Sequence, residues 1–258
     1  MAKDDFNLLR KQDLIDNPTA RVPICLCLDT SYSMGAVVDT ENVRETGKTL
    51  TKDGQTWTLV EGGTARIEKL KAGVEKFYES IRNDKLAKYA AEISIVTFDD
   101  TARCVLDFAN IERQTELPEL VPDGETAMGE GVNLALDLLE NRKKEYSEAG
   151  VDYYQPWLVL MTDGYSTGSD SEFKRAKERI KKLVDEKKLT VFPIGISEEA
   201  DLNTLNELSP KRAALRFRNL RFEDFFEWLS QSVARVSAST PGEDVPLPSQ
   251  PPCGWDQL

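Results

Sequence analysis

The chain has 258 residues, of which 40% are hydrophobic and 30% charged, enough apolar content for a core of one large or two small domains. Asp and Glu number 45 against 33 Lys and Arg, a formal charge of −12 that repels nucleic acid and anionic membrane surfaces. Histidine is absent, which excludes a Ser-His-Asp triad, a Cys-His pair and every His-ligated metal centre. Cys25, Cys27, Cys104 and Cys253 fit no zinc or redox spacing, and neither a signal peptide nor a membrane span is visible, so a reducing cytoplasm is the expected location.

In chain order, residues 1–20 read as a polar arm. Ile24-Cys25-Leu26-Cys27-Leu28 is a continuous apolar run ending at Asp29, the pattern of a strand buried on both faces. A long polar insertion, residues 35–64, follows where α/β units usually spend roughly 2–6 residues. Within it, β-rich runs flank Lys52-Asp53-Gly54-Gln55, a hairpin signal. Ile67, Leu70, Val74, Phe77, Tyr78 and Ile81 mark one face of a helix. Ile93–Phe98 and Arg103–Phe108 read as strands joined by Asp99-Asp100-Thr101-Ala102, a link short enough to force antiparallel pairing.

A helix over about Met128 to Glu145 comes next, then a buried strand over Trp157 to Met161 and a helix marked by Phe173, Ala176, Ile180, Leu183 and Val184. The strand Leu189–Ile196, a short helix near Leu202–Leu208, a short strand near Ala214–Phe217 and a helix from Phe222 to about Val236 complete the pattern. The phenylalanines and Trp228 of that last helix read as core packing. Residues 238–258, rich in Pro and Ser, read as a flexible tail. Alternating strands and helices imply one α/β domain over 21–237: a doubly wound, Rossmann-like, mostly parallel sheet with one antiparallel edge strand.

Three motifs fall where such a sheet presents its carboxyl edge, the usual ligand crevice. They are Asp29-Thr30-Ser31-Tyr32-Ser33 after the first strand, Asp123-Gly124-Glu125-Thr126 before a helix, and Thr162-Asp163-Gly164 after the Trp157 strand. Asp29, Ser31, Ser33, Thr126 and Asp163 together offer two carboxylates and three hydroxyls. Hard divalent cations take all-oxygen donors of this kind. Read singly, each motif has a plainer meaning: a helix cap for Asp-x-Ser-x-Ser and for Thr126, a turn for Asp163-Gly164.

In combination these residues resemble the metal-ion-dependent adhesion site of von Willebrand factor A (VWA) domains. All five positions occur in the family's order, and the resemblance runs from Val22 to Ser237. Val96-Thr97-Phe98-Asp99, Glu125-Thr126-Ala127-Met128-Gly129-Glu130 and Phe225-Phe226-Glu227-Trp228-Leu229-Ser230 are most similar to bacterial TerY-like proteins of tellurite resistance and stress response.

The resemblance implies a domain that is not an enzyme and that binds Mg²⁺, or Mn²⁺ or Ca²⁺ in its place. Ser31 and Ser33 would bind the ion directly, Thr126 directly or through water, and Asp29 and Asp163 through waters or directly. A partner protein would supply a Glu or Asp to the ion, with a protein kinase and a metal-dependent protein phosphatase as the implied associates. Tyr32 replaces a common Gly and narrows the approach. Asp99 and Asp100, at the hairpin tip, read either as partner-facing groups or as acidic turn residues. The insertion leaves the metal-bearing face and either shapes a partner surface or covers the site.

The enzymatic alternative is a metal-dependent phosphohydrolase using Asp29 as nucleophile. It lacks the second Asp two residues on, where Ser31 stands. Nucleotide hydrolysis lacks its phosphate-cradling Gly-x-x-x-x-Gly-Lys-Ser/Thr loop.

Overall fold

In a computed structural model, described for residues 13–39, 43–52, 55–163, 165–197, 200–217, 222–248 and 255–257, the sheet is built outward from its first strand. Strand β1 (Val22–Asp29) is buried over all eight residues. Its side chains alternate between two cores: Val22, Ile24, Leu26 and Leu28 face one, Cys25 and Cys27 the other. β-Branched and leucine-rich strands buried on both faces require helices above and below, and both layers are present.

β1 is followed by the short strands β2 (Val37–Asp39), β3 (Arg44–Lys52), β4 (Gln55–Glu61) and β5 (Thr64–Ala65). Then come α1 (Arg66–Asn83), α2 (Ala87–Ala90), β6 (Ala91–Phe98) and β7 (Ala102–Asn110). The second half contains α3 (Met128–Ala149), β8 (Trp157–Thr162), α4 (Asp170–Asp185), β9 (Thr190–Gly195), α5 (Leu202–Glu207), β10 (Leu215–Phe217), α6 (Phe222–Ser237) and β11 (Trp255–Gln257).

The main sheet has the order β11-β10-β9-β8-β1-β6-β7. Pairings from β10 to β6 are parallel, whereas β6 with β7 and β10 with β11 are antiparallel. The doubly wound α/β fold is therefore as the strand and helix pattern requires, with a second antiparallel strand added at the far edge. The chain leaves β1 toward β6 on one side and later builds β8, β9 and β10 on the other. That reversal makes the gap between the carboxyl ends of β1 and β8 a topological switch point.

Helices α1 and α6 cover one face, with Phe77, Phe222, Phe225, Phe226 and Trp228 buried between them and the sheet. α3 and α4 cover the other, using Val132, Leu136, Leu139, Ala176 and Ile180. These two helices approach backbone to backbone at Gly129, where an added Cβ would lie 2.4 Å from the Phe173 nitrogen. Ala is intrinsically better than Gly in a helix by about 1 kcal/mol. Backbone on both sides leaves no soft neighbour to yield, so overpacking costing about 1–3 kcal/mol wins. Gly129→Ala is expected to lower the midpoint of urea unfolding; an unchanged or raised midpoint would refute the close approach.

The insertion forms two small sheets apart from the main one. β3 pairs antiparallel with β4, and β2 with β5. The Asp53-Gly54 turn lies outside the described residues, as do residues 1–12 of the arm, Gly164 and Cys253. The end of the arm is tied into the fold through Arg21, whose guanidinium donates to Glu92 Oε1 at 3.0 Å and to the Asp13 and Asn17 carbonyls. Arg142 and the Tyr146 hydroxyl reach Glu92 Oε2, each at 2.6 Å. The side chains of Arg21, Glu92 and Arg142 are all fully buried, a charged triad beneath the amino ends of β1 and β6.

The segment after Ser237, expected from its composition to be a free extension, lies against the domain where it is described. Trp228 Nε1 donates to the Pro248 carbonyl at 3.0 Å, and Tyr154 OH to that of Ser239 at 2.6 Å. Val245 and Leu247 pack on the core, and β11 adds to the edge strand β10. Proline-rich chain needs no ladder of its own when side-chain donors on the domain can satisfy its carbonyls.

Candidate metal centre at the carboxyl edge of the sheet

Asp29 is the last residue of β1 and is fully buried. The chain then leaves the sheet through Thr30, whose N–H donates to the Phe98 carbonyl at 2.9 Å, and enters a single 3₁₀ turn, Tyr32–Gly35. Ser31 occupies the capping position of that turn, yet makes no side-chain cap hydrogen bond. Thr126 does not cap α3 either: the capping position is Ala127, which has no side-chain bond. The plainer meanings of these hydroxyls are thus not the ones the structure uses.

The side chains instead form a chain across the switch point. Asp29 Oδ1 accepts from the Ser31 N–H at 2.7 Å, and Oδ2 from the Thr162 hydroxyl at 2.5 Å. The hydroxyls of Ser31 and Ser33 are 3.0 Å apart, and Ser33 donates to Asp163 Oδ1 at 2.6 Å. Asp29, Ser31, Ser33 and Asp163 are therefore brought together from loops 130 residues apart in sequence. Burial, helped by the neighbouring Asp163 charge, pushes the Asp29 carboxyl up to about 7, against the pull of its bonds from Ser31 and Thr162.

Thr126 is buried on the adjoining loop, which is stitched to the β1 loop by Tyr32 N to Gly124 O at 3.0 Å and Asp123 N to Thr30 O at 2.8 Å. Gly124 holds a left-handed conformation (φ +67°) that favours glycine. Thr167, not singled out by sequence, receives the Thr126 N–H on its hydroxyl at 2.9 Å and donates its own N–H to the Thr126 carbonyl at 3.0 Å.

Both hairpin-tip acids make hydrogen bonds within the domain. Asp99 is buried; its carboxylate accepts from the Thr101 N–H and pairs with Arg103 at 2.7 Å, and its carbonyl accepts from Ala127 N–H at 2.8 Å. Asp100 is exposed, and its Oδ1 accepts from Glu125 N–H at 2.7 Å. The Asp99 carbonyl and the Asp100 carboxylate anchor the Thr126 loop, while the Asp99 carboxylate closes the turn itself. Tyr32 meets the insertion: its ring packs edge-on against Trp57 of β4, with centroids 5.6 Å apart.

Arg66, the first residue of α1, was invisible to the motif reading. Its Nη1 donates to Asp163 Oδ2 at 2.5 Å, with the Asp163 side chain fully buried. A faint signal existed, because a basic residue in the first turn of a helix runs against the helix dipole.

Among the described residues no group of three or more His, Cys, Asp or Glu is gathered to hold a metal. A cation here would depend on hydroxyls as well as on Asp29 and Asp163. The donor set fits one: every atom is oxygen, the two carboxylates are buried, and the serine hydroxyls lie in contact.

An open, doubly wound sheet with an oxygen-rich cluster at its switch point defines an α/β ligand-binding domain. Residues 24–231 match the family model of the von Willebrand factor type A domain, and the chain belongs to that family. Members are often metal-dependent protein-interaction modules. The fold is similar to that of the PilB minor pilin from Streptococcus sanguinis, with 15% identity, 86% of this chain and 64% of that one covered, and a TM-score of 0.58. It is similar as well to the pilus adhesin SpaC from Lactobacillus rhamnosus GG, at 14% identity, 84% and 31% coverage and a TM-score of 0.59. Proximal thread matrix protein 1 from the mussel byssus gives 16% identity, 84% and 49% coverage and a TM-score of 0.51. The chain spans less than two thirds of the length of each of these proteins. No curated protein sequence matches it. Among the described residues no helix is long and apolar enough to cross a membrane.

Proposed function

We propose that this domain is a metal-dependent protein-interaction module in which Asp29, Ser31, Ser33, Thr126 and Asp163 hold a divalent cation, Mg²⁺ or Mn²⁺, that receives an acidic side chain from a partner. The observation that carries the reading is the Ser31–Ser33–Asp163 contact chain, which joins hydroxyls and carboxylate from the ends of two different strands. When bound, the ion would supply an electrophilic centre, because only two protein carboxylates offset its charge. Asp29 and Thr162 orient the Ser31 end of the cluster, and Thr167 holds the Thr126 loop beside it.

Binding rather than turnover is supported by Asp29 itself. A nucleophilic carboxylate needs an accessible oxygen, and here both oxygens accept hydrogen bonds within a fully buried residue. The neighbours of similar fold, a pilin, a pilus adhesin and a thread matrix protein, carry names of binding or structural proteins. The finer form of this proposal, which rests on the resemblance to TerY-like sequences alone, is a module of a bacterial stress response acting beside a protein kinase and a metal-dependent phosphatase. That finer reading, and a cytoplasmic setting in which the buried Cys25 and Cys27 stay reduced, rest on sequence features.

The test is affinity capture from native lysate in Mg²⁺ and in chelator, with Asp163→Ala as control. Partners retained in Mg²⁺, released by chelator and absent from the control are expected. Capture indifferent to both changes would refute the metal-bridged reading. The same assay reports on the ribbon, whose strands pair only with one another. Replacing residues 38–63 by a short Gly-Ser link is expected to change the captured set while the domain still unfolds cooperatively.

A further inference from the structure

The Asp163 carboxylate serves two masters. Ser33 donates to one oxygen at 2.6 Å, and the Arg66 guanidinium to the other at 2.5 Å. The acid is wholly buried and Arg66 is only 17% exposed, so solvent screens the pair weakly. Arg66 is also fixed at its backbone, where its N–H donates to the Ala36 carbonyl at 3.0 Å and closes the base of the inserted ribbon. A guanidinium cannot shed its charge in a protein, so near a divalent ion it remains a full positive neighbour. Nothing in helix preference asks for it: the amino end of α1 already carries positive partial charge.

We propose that Arg66 is a built-in competitor for the metal. Its guanidinium holds the Asp163 oxygen opposite the one that Ser33 contacts, so that a cation loading beside Ser31 and Ser33 competes with it for the charge of the same carboxylate and weakens or displaces the Arg66–Asp163 pair. This rests on the metal-site reading above and adds to it a residue that sets how readily the ion binds. Two carboxylates facing one guanidinium and one divalent ion are less favourable to the ion than two carboxylates alone. The site therefore loads at a higher metal concentration than its donor set would give by itself. Arg66 lies at the exit of the insertion, so the competitor arrives with the same segment that packs Trp57 on Tyr32.

The experiment is Mn²⁺ titration of the wild type, Arg66→Gln and Arg66→Lys, read by the loss of free Mn²⁺ electron paramagnetic resonance signal. Circular-dichroism melts in parallel identify any variant that is not folded, and Arg66→Lys retains the charge should the amide not be tolerated. Losing a group that supports a metal ligand typically costs about 10–100-fold in affinity, and removing one that opposes the metal is taken to act over the same range in the other direction. Arg66→Gln is accordingly expected to bind Mn²⁺ about 10–100-fold more tightly than wild type, with Arg66→Lys between them. Binding by Arg66→Gln with none by wild type is the extreme form of the same result. Equal or weaker affinity in a folded Arg66→Gln would overturn the competitor and leave the metal site standing. Absence of Mn²⁺ binding by all three proteins at millimolar metal would overturn the metal site itself, and the competitor with it.

Discussion

Glu92→Leu is expected to destabilise the domain by about 3–5 kcal/mol, a large share of the 5–15 kcal/mol that holds a typical domain together. Glu92 receives Arg21 on one oxygen and Arg142 and Tyr146 on the other, and neither arginine side chain is exposed. Removing the acid strands two guanidinium groups in low dielectric, where each loses water without gaining a counter-charge. Partial relief exists: Asp13 faces Arg21 at 3.8 Å, and Glu145 pairs with Arg142. Those acids are respectively 12% and 40% exposed, so they offset less than Glu92 does. The control is Glu92→Leu with Arg142→Met. Replacing a buried pair by apolar groups of similar size is often near neutral, so the double variant should recover part of the loss. Urea unfolding of wild type, both single variants and the double one measures the coupling. A Glu92→Leu cost below about 1 kcal/mol would place the triad among ordinary surface ion pairs instead.

Mn²⁺ is expected to stabilise the wild type and to leave Asp29→Asn unaffected. A ligand bound only by the folded chain adds about 2.7 kcal/mol at one hundred times its dissociation constant. Asp29 and Asp163 place like charges close together in a buried cluster, and Arg66 offsets that repulsion only from the Asp163 side. Asparagine keeps the shape and one acceptor oxygen, for the Ser31 N–H; its amide NH2 donates to the Thr162 hydroxyl in place of the second oxygen, and one of the two negative charges is removed. Its metal-free stability should equal or exceed that of the wild type, the usual relation where a site is kept for binding rather than for stability. Its melting temperature should no longer rise with Mn²⁺. Equal Mn²⁺-dependent stabilisation of both proteins would remove Asp29 from the site, and no stabilisation of either would remove the site.

The candidate site residues were legible to different degrees, for local reasons. Asp29 and Asp163 end continuous apolar runs, and an acidic residue at such a stop marks the edge of a sheet whatever the rest of the fold does. Ser31 and Ser33 follow within one turn, so their nearness to Asp29 is set by chain connectivity. Asp99 and Asp100 were legible as turn residues but not in their use, since only the folded chain brings Ala127 and Glu125 N–H groups to them. Thr167 lay beyond reach, and Arg66 showed only as a basic residue at the start of a helix. Each contact depends on one segment meeting another, and neither segment carries a pattern that names its neighbour. The triad at Glu92 was hidden differently, because one acid in an apolar strand and one arginine on an amphipathic helix each look like ordinary exposed positions. The segment after Ser237 misled by composition: proline excludes a helix, but it does not exclude docking through carbonyls onto Trp228 and Tyr154.

Periodicity is a property of neighbouring residues, so β1, α1, β6, α3 and β8, with their buried faces, could be read from the amino acids one window at a time. The same is true of the all-oxygen chemistry of the donors. Contacts between distant segments are set by how helices and loops pack against the finished sheet, and no single window contains that information. The pairing of Asp163 with Arg66, the burial of Arg21 and Arg142 around Glu92, and the seating of Trp57 on Tyr32 are all of this kind. Local sequence chose the groups that could hold a cation, and long-range packing chose which positive charge stands beside them.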